Sequence, residues 1–166
     1  MSDVSLRRAT PADHHAVGAV TVAAYEEFTE GPEDGYIAKL RDAATRDREA
    51  ELWLAELDGA VVGTVTITPE GSPWREIGRP GEGEFRMLAV DPAARRRGVG
   101  EALMQLVFDR FREAGSHAIV LSSLAEMTSA HRVYERLGFA RLPERDWSPV
   151  PGVDLIAFRV ELEGRP

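Results

Sequence analysis

The residues best suited to chemistry stand in one run, Asp91-Pro92-Ala93-Ala94-Arg95-Arg96-Arg97-Gly98-Val99-Gly100-Glu101-Ala102-Leu103. An apolar strand, Phe85 to Val90, stops at Asp91-Pro92. A basic glycine loop follows, and an amphipathic helix begins. Three arginines thus stand at the positive end of a helix dipole, where each cation costs roughly 0.3–1 kcal/mol. A sequence that needs only a helix start favours Ser, Thr, Asp or Asn there. Gly98 and Gly100 weaken the start further, by about 1 kcal/mol each relative to Ala in a helix interior. The combination makes sense around a bound anion. Free backbone N–H groups then point at a phosphate, and the missing side chains let it come close. The plainer reading is a solvated arginine run on a surface turn.

Among phosphate ligands, a mononucleotide P-loop requires Gly-Lys-Ser/Thr, and no such run occurs. A dinucleotide fingerprint requires a third glycine where Leu103 stands, and an acid near the end of the next strand, where Leu121-Ser122-Ser123 stands. The chain has no cysteine, which removes disulfides, thiolate metal sites and a cysteine nucleophile. His14, His15, His117 and His131 have no metal-ligand spacing, so no metal is expected.

The elements that must position this run can be read on either side of it. Leu6 to Ala9 reads as a first strand. Thr10-Pro11-Ala12-Asp13 reads as a helix start, with Thr10 at the N-cap and Asp13 closing a capping box. Val17, Val20 and Ala24 give that helix an apolar stripe. A second helix is expected from Pro32 to Arg48, with Ile37, Leu40 and Ala44 on one side. Glu51 to Leu57 and Val61 to Thr68 form a hairpin around Asp58-Gly59. Pro69 to Gly83 has no periodicity and reads as a mobile surface loop. After the strand Phe85–Val90, Val99, Leu103, Leu106, Val107, Phe111 and Ala114 give helical spacing, and Gly115 closes the helix. Ile119 to Leu121 is a buried strand. Ala130, Val133, Tyr134 and Leu137 stripe a last helix, and a final strand runs from Leu155 to Leu162. The order is mixed α/β, a hairpin feeding a sheet covered by helices.

The chain has 166 residues, enough for one domain over 1–166 with a real core. Its net charge of −8 argues against a general nucleic-acid binder. No stretch approaches the length of a membrane span, and the first eight residues lack the apolar core of a signal peptide. Lys39 is the only lysine among 20 basic residues, a bias that fits a GC-rich genome. A bacterial, cytoplasmic protein is expected.

Arg95-Arg96-Arg97-Gly98-Val99-Gly100 matches the (Gln/Arg)-x-x-Gly-x-(Gly/Ala) signature of the GNAT N-acetyltransferases, and Met87-Leu88-Ala89-Val90-Asp91-Pro92 before it is typical of that family. Ala130-His131-Arg132-Val133-Tyr134-Glu135-Arg136-Leu137-Gly138-Phe139 resembles the family's Ala-x-x-x-Tyr-Glu-x-Leu-Gly-Phe helix and exit. The resemblance implies a mixed, mostly antiparallel twisted sheet with two splayed parallel central strands and helices on both faces. It implies acetyl-CoA as cosubstrate, without a metal. Its pyrophosphate is expected on the loop Arg95, Arg96, Arg97, Gly98, Val99, Gly100 and Glu101. Its pantetheine arm is expected to pair like an added strand with Leu88, Ala89 and Val90.

The same resemblance implies direct attack of an amine on the thioester, with a small-molecule or peptide amine as acceptor and a homodimer as a common assembly. Tyr134 is the expected general acid for the departing thiolate, although it also lies on an apolar stripe and could simply pack. Glu84, which opens the strand that would bind the thioester arm, is the candidate base; a solvated charge is the plainer reading. Glu26, Glu27 and Glu30 stand where a cationic acceptor would be attracted. His131 reads as surface. Met127 replaces an Asn common in relatives, which removes one polar contact near the pantetheine. Two other readings stay open: an acyl-CoA-binding sensor or interaction module of the same fold, and a nucleotide-binding α/β protein.

Overall fold

The computed structural model describes residues 3–31 and 33–162; Met1, Ser2, Pro32 and the last four residues lie outside that description. Its elements are β1 (Ser5–Arg8), α1 (His14–Tyr25), α2 (Gly35–Arg41), α3 (Ala43–Glu49), β2 (Glu51–Leu57), β3 (Ala60–Thr68), β4 (Glu82–Val90), α4 (Val99–Glu113), β5 (Ala118–Leu124), α5 (Thr128–Arg136), β6 (Ala140–Arg141), β7 (Trp147–Val150) and β8 (Val153–Glu161). One sheet runs β1-β2-β3-β4-β5-β8-β6, with β7 also paired to β8. Among the described residues only β4 and β5 pair in parallel. This is the mixed sheet expected from the element order.

The local signals explain most elements. Asp13 accepts the Thr10 N–H at 2.8 Å, so the capping box forms as read, and Arg7 holds the same carboxylate at 2.7 Å. Asp58 and Gly59 both have positive φ, 52° and 80°, which makes the two-residue turn of the β2–β3 hairpin type I′. The expected helix from Pro32 to Arg48 is two helices. Asp42 breaks it with ψ at 72° and caps α3 by accepting from the Thr45 N–H and hydroxyl. The break shifts the buried position from Ala44 to Ala43.

Helices cover both faces. On one, α4 buries Val99, Leu103, Met104, Val107, Phe108 and Phe111 against Val65, Ile67, Phe85 and Ile119. Leu106 is half-buried and Ala114 exposed, so the stripe is turned slightly from the one the spacing gave. On the other, Val17, Leu40 and Ala43 pack with Leu52, Leu54 and Met87. The switch between faces happens inside β4. Arg86 pairs with Thr66 and Ala89 with Thr64, leaving Met87 and Leu88 opposite Val65 alone. This bulge carries Met87 at φ 52°, a conformation that costs a non-glycine residue roughly 1–3 kcal/mol. Phe85 therefore packs in the α4 cluster, while Met87 packs with α2.

A buried ion cluster ties the start of β4 to the chain's last elements. The Glu82 carboxylate, 5% exposed, accepts from Arg145 at 2.6 and 3.0 Å and from Arg159 at 3.3 Å. Burial raises its pKa, but the two guanidiniums and the Arg79 N–H win and hold it at about 2. The folded state thus binds its proton later than the unfolded chain does, so this stability is present above about pH 4.5 and drains away toward pH 2. Urea melts between pH 7 and pH 2.5 are expected to show a steep loss below pH 4, and a Glu82→Gln variant should be less stable at pH 7 with a flatter profile.

Candidate functional site

The parallel pair is brief. Glu82, Gly83 and Glu84 pair with Ala118, Ile119 and Val120, and pairing then stops, while β5 continues against β8 up to Leu124. From Phe85 and Leu121 onward the two strands part. A cleft of about 750 Å³ opens there, lined on one wall by Phe85, Met87 and Leu88 and on the other by Leu121, Ser122, Ser123 and Leu124. The β5-facing backbone of β4 beyond Glu84 has no partner strand, which is the arrangement an extended arm can complete by strand addition. Tyr25, at the end of α1, donates its hydroxyl to the Leu88 carbonyl at 2.8 Å and braces the bulge.

Beside the cleft mouth, the chain leaves β4 through Asp91, which caps a short turn by accepting the Ala93 N–H. Arg96 and Gly98 both have positive φ, 67° and 78°, so the N–H groups around Arg97 curl into the concavity that precedes α4. Glycine at 98 is required by that conformation. Gly100 is different. A Cβ added there would meet only Val90 Cγ2, at 3.7 Å, and one added at Gly98 would meet nothing within 4 Å. Neither glycine serves packing, and Gly100 serves no turn. The space that side chains would fill is open at the helix's free N–H groups. Arg95, Arg96 and Arg97 are exposed; Arg95 stands 3.8 Å from Glu27, and no ion pair forms with Arg96 or Arg97 among the described residues. An anion at this place would offset three cations at a positive dipole end.

Tyr134 comes from α5 to the apex where the strands part. Its ring is 6.0 Å from Phe85, 5.8 Å from Phe139 and 5.9 Å from Phe158, and the residue lines the cleft. Its hydroxyl makes no hydrogen bond to a described protein group, and burial pushes its pKa well above the phenol range. It therefore packs in the core while also lining the cleft. His131 is buried rather than on the surface. Its Nε2 lies 3.0 Å from the Leu124 carbonyl and 3.1 Å from Ser123 Oγ, its ring stacks near Phe158, and burial lowers its pKa. The helix stripe that placed Tyr134 inward could not show that the β5 end curls over the neighbouring position.

The acidic residues differ more from expectation. Glu84 does not line the cleft. It is fully buried, and its two oxygens accept the backbone N–H groups of Glu76, Ile77 and Gly78 at 2.8 to 3.4 Å. Burial raises its pKa while those N–H groups pull it down. The segment after β3 is consequently held in place, where the sequence reads as a mobile loop. Trp74 is buried and donates its indole N–H to Glu49 at 2.9 Å, Ser72 bonds the Glu49 carbonyl, and Arg75 donates to the Glu82 carbonyl at 2.6 Å. Glu26, Glu27 and Glu30 are exposed and lie outside the cleft lining. The acids that do line it are Asp34 and Glu76; the Glu76 side chain is 13% exposed and lies 3.3 Å from Arg86 Nε. Lys39 and Tyr36 from α2 and Trp147 from β7 complete that end.

The profile described as "Acetyltransferase (GNAT) family" matches residues 17–139. The chain belongs to this family. Over 150 residues it is 33% identical to the mycothiol acetyltransferase of Cellulomonas flavigena, covering 78% of this chain and 41% of that protein. It is also 32% identical over 103 residues to the N-acetylaspartate synthetase of Rattus norvegicus, covering 62% of this chain and 32% of that protein. The chain thus spans less than half the length of these curated relatives. The fold is shared with a GNAT acetyltransferase from Staphylococcus aureus, at TM-score 0.77, 15% identity and coverage of 97% and 100% of the two chains. A putative acetyltransferase from Salmonella typhimurium, solved with its cofactor acetyl-CoA, has the same fold, at TM-score 0.67, 21% identity and coverage of 98% and 95%. The family and the GNAT-type fold read from the two motifs are therefore right. Among the described residues no acid or histidine cluster suits a metal ion, and no helix is long and apolar enough to cross a membrane.

Proposed function

We propose that this GNAT protein is an acetyl-CoA-dependent N-acetyltransferase that acts on a small-molecule or peptide amine. The single observation that carries the reading is Gly100. It has helical neighbours, no steric reason to lack a side chain, and a position beside free N–H groups and the exposed Arg96 and Arg97. The fit to a pyrophosphate is good on these grounds, and Arg96 to Glu101 would hold it. The parted backbone at Leu88, Ala89 and Val90 would hold the pantetheine arm. When bound, acetyl-CoA supplies a thioester whose carbonyl carbon an amine attacks, with a thiol as leaving group.

The chain's own residues then have three tasks. Backbone N–H groups of the β4 bulge, held rigid by Tyr25 and the strained Met87, steady the developing oxyanion. Tyr134 keeps its proton at all working pH values and gives it to the departing sulfur, whose ordinary pKa of about 8.5 lies below a phenol's. A base near the acceptor must take a proton from the amine. We take the working form to be a cytoplasmic bacterial enzyme, with the homodimer of the sequence reading as its assembly.

The test has two parts. The protein has no cysteine, so a thiol reagent sees only released coenzyme, without background from the chain. Acceptor-dependent thiol release should appear for some member of an amine and peptide panel. Tight acetyl-CoA binding with no release for any member would favour the sensor reading instead. Gly100→Ala separates binding from folding. Its melting temperature should hold or rise, because Ala is favoured in helices by up to about 1 kcal/mol. Its acetyl-CoA Kd, by calorimetry, should rise about tenfold, equal to about 1.4 kcal/mol. An unchanged Kd would remove the cradle from the account.

A further inference from the structure

Glu76 belongs to a segment without sequence periodicity, yet among the described residues it is the only acid lining the cleft whose oxygens are not consumed by backbone capping. Asp34, the other acid lining the cleft, accepts from the Glu30 and Tyr36 N–H groups at the start of α2. Glu84 is saturated by three N–H groups, and Glu82 by two arginines. Glu76 instead keeps one long contact, 3.3 Å to Arg86 Nε. Arg86 itself lies over Trp74, its Cζ 5.4 Å from the ring centroid.

From this geometry we infer that Glu76 is the proton acceptor for the attacking amine, and that Glu84 positions it. Glu84 clamps the N–H of Glu76 itself and of the next two residues, so it fixes where the Glu76 carboxylate enters the cleft. The inference rests on the N-acetyltransferase reading above. In the step, an ammonium acceptor passes one proton to a Glu76 oxygen, and the freed nitrogen electron pair forms the C–N bond as the C–S bond breaks. The second proton lost from nitrogen ends on the departing sulfur by way of Tyr134, which gives one proton and regains one. Glu76 returns its proton to solvent. Charges balance: one ammonium and one thioester give one amide, one thiol and one proton.

The electrostatics suit the role. Burial raises Glu76 to about 6, partly opposed by Arg86 and Lys39 and reinforced by Glu84. The groups facing it are Arg86 and Glu84 from β4, Lys39 and Tyr36 from α2, and Arg79, Arg145 and Asp146 across the small cavity behind the loop. Near neutral pH the carboxylate is mostly ionised yet basic enough to accept a proton in the transition state.

The experiment uses the full chain, acetyl-CoA and whichever alkylamine of the panel is turned over fastest. For wild type, kcat/KM should climb with an apparent pKa near 6 and then level off, because the enzyme deprotonates the ammonium form. For Glu76→Gln it should fall about 100-fold at pH 7 and rise about tenfold per pH unit toward the amine's own pKa, since only free amine can then react. Acetyl-CoA Kd and melting temperature should stay near wild type. In the ligand-free protein, carbon NMR of the Glu76 carboxyl should titrate near 6 rather than at an ordinary carboxylate value. A Glu76→Gln enzyme with wild-type rate and the same acid limb overturns the inference alone. Absence of release for every amine overturns the N-acetyltransferase reading, and the inference with it.

Discussion

Tyr134→Phe is expected to lower kcat about 100-fold, at the low end of what a positioned acid contributes, because a thiolate already leaves well. Acetyl-CoA affinity should stay within about twofold, since the pyrophosphate loop and the β4 backbone are untouched. Stability should change by less than about 1 kcal/mol, because the hydroxyl has no described protein partner and the ring keeps its contacts with Phe85, Phe139 and Phe158. This split between turnover and stability decides between an acid and a core residue. A tyrosine that only packs would show neither loss. Rapid-quench measurement of the acetyl-transfer step, with melting curves on the same samples, checks it. The deficit should also be constant from pH 6 to 9, because burial holds the phenol protonated across that whole range.

The glycine loop was legible because it breaks local rules. Arginines and glycines at a helix start oppose the helix, and a sequence keeps such a conflict where something else offsets it. The apolar stripes of the helices were legible in periodicity, and their place on both faces of the sheet only in the family resemblance. The bulge at Met87 was not, since a strand reading of Phe85 to Val90 assumes strict alternation, and the extra residue reverses it. Nor was the segment between β3 and β4. Its order comes from Glu49, Glu82 and Glu84, whose carboxylates and carbonyls bind backbone N–H groups and side chains, and such bonds leave no repeat in the sequence. Glu76 was missed for that reason. Glu84 was noticed as an acid at a strand start, and its carboxylate is turned toward the loop. Glu26, Glu27 and Glu30 were noticed by proximity in sequence to the first helix, and they face solvent.

Glu84→Ala tests that division of labour at the level of stability. Three backbone N–H groups would lose their acceptor in a buried place, at about 1–3 kcal/mol each if none finds another. Water entry and partial loop release limit the total, so about 3 kcal/mol is expected in urea denaturation. The loss should be local first. Amide exchange at Glu76, Ile77 and Gly78 should accelerate at denaturant concentrations where β4 and β5 amides remain protected. Acceptor-dependent kcat/KM should fall with it, since the Glu76 carboxylate is no longer held, while acetyl-CoA affinity should stay near wild type, because the proposed glycine-loop cradle is untouched. Glu84→Gln should lie between, because its amide oxygen accepts at most two of the three bonds and its NH2 group confronts a donor. A Glu84→Ala protein with wild-type exchange at those amides would mean that the loop stands without its clamp, and the position of Glu76 would then need another cause.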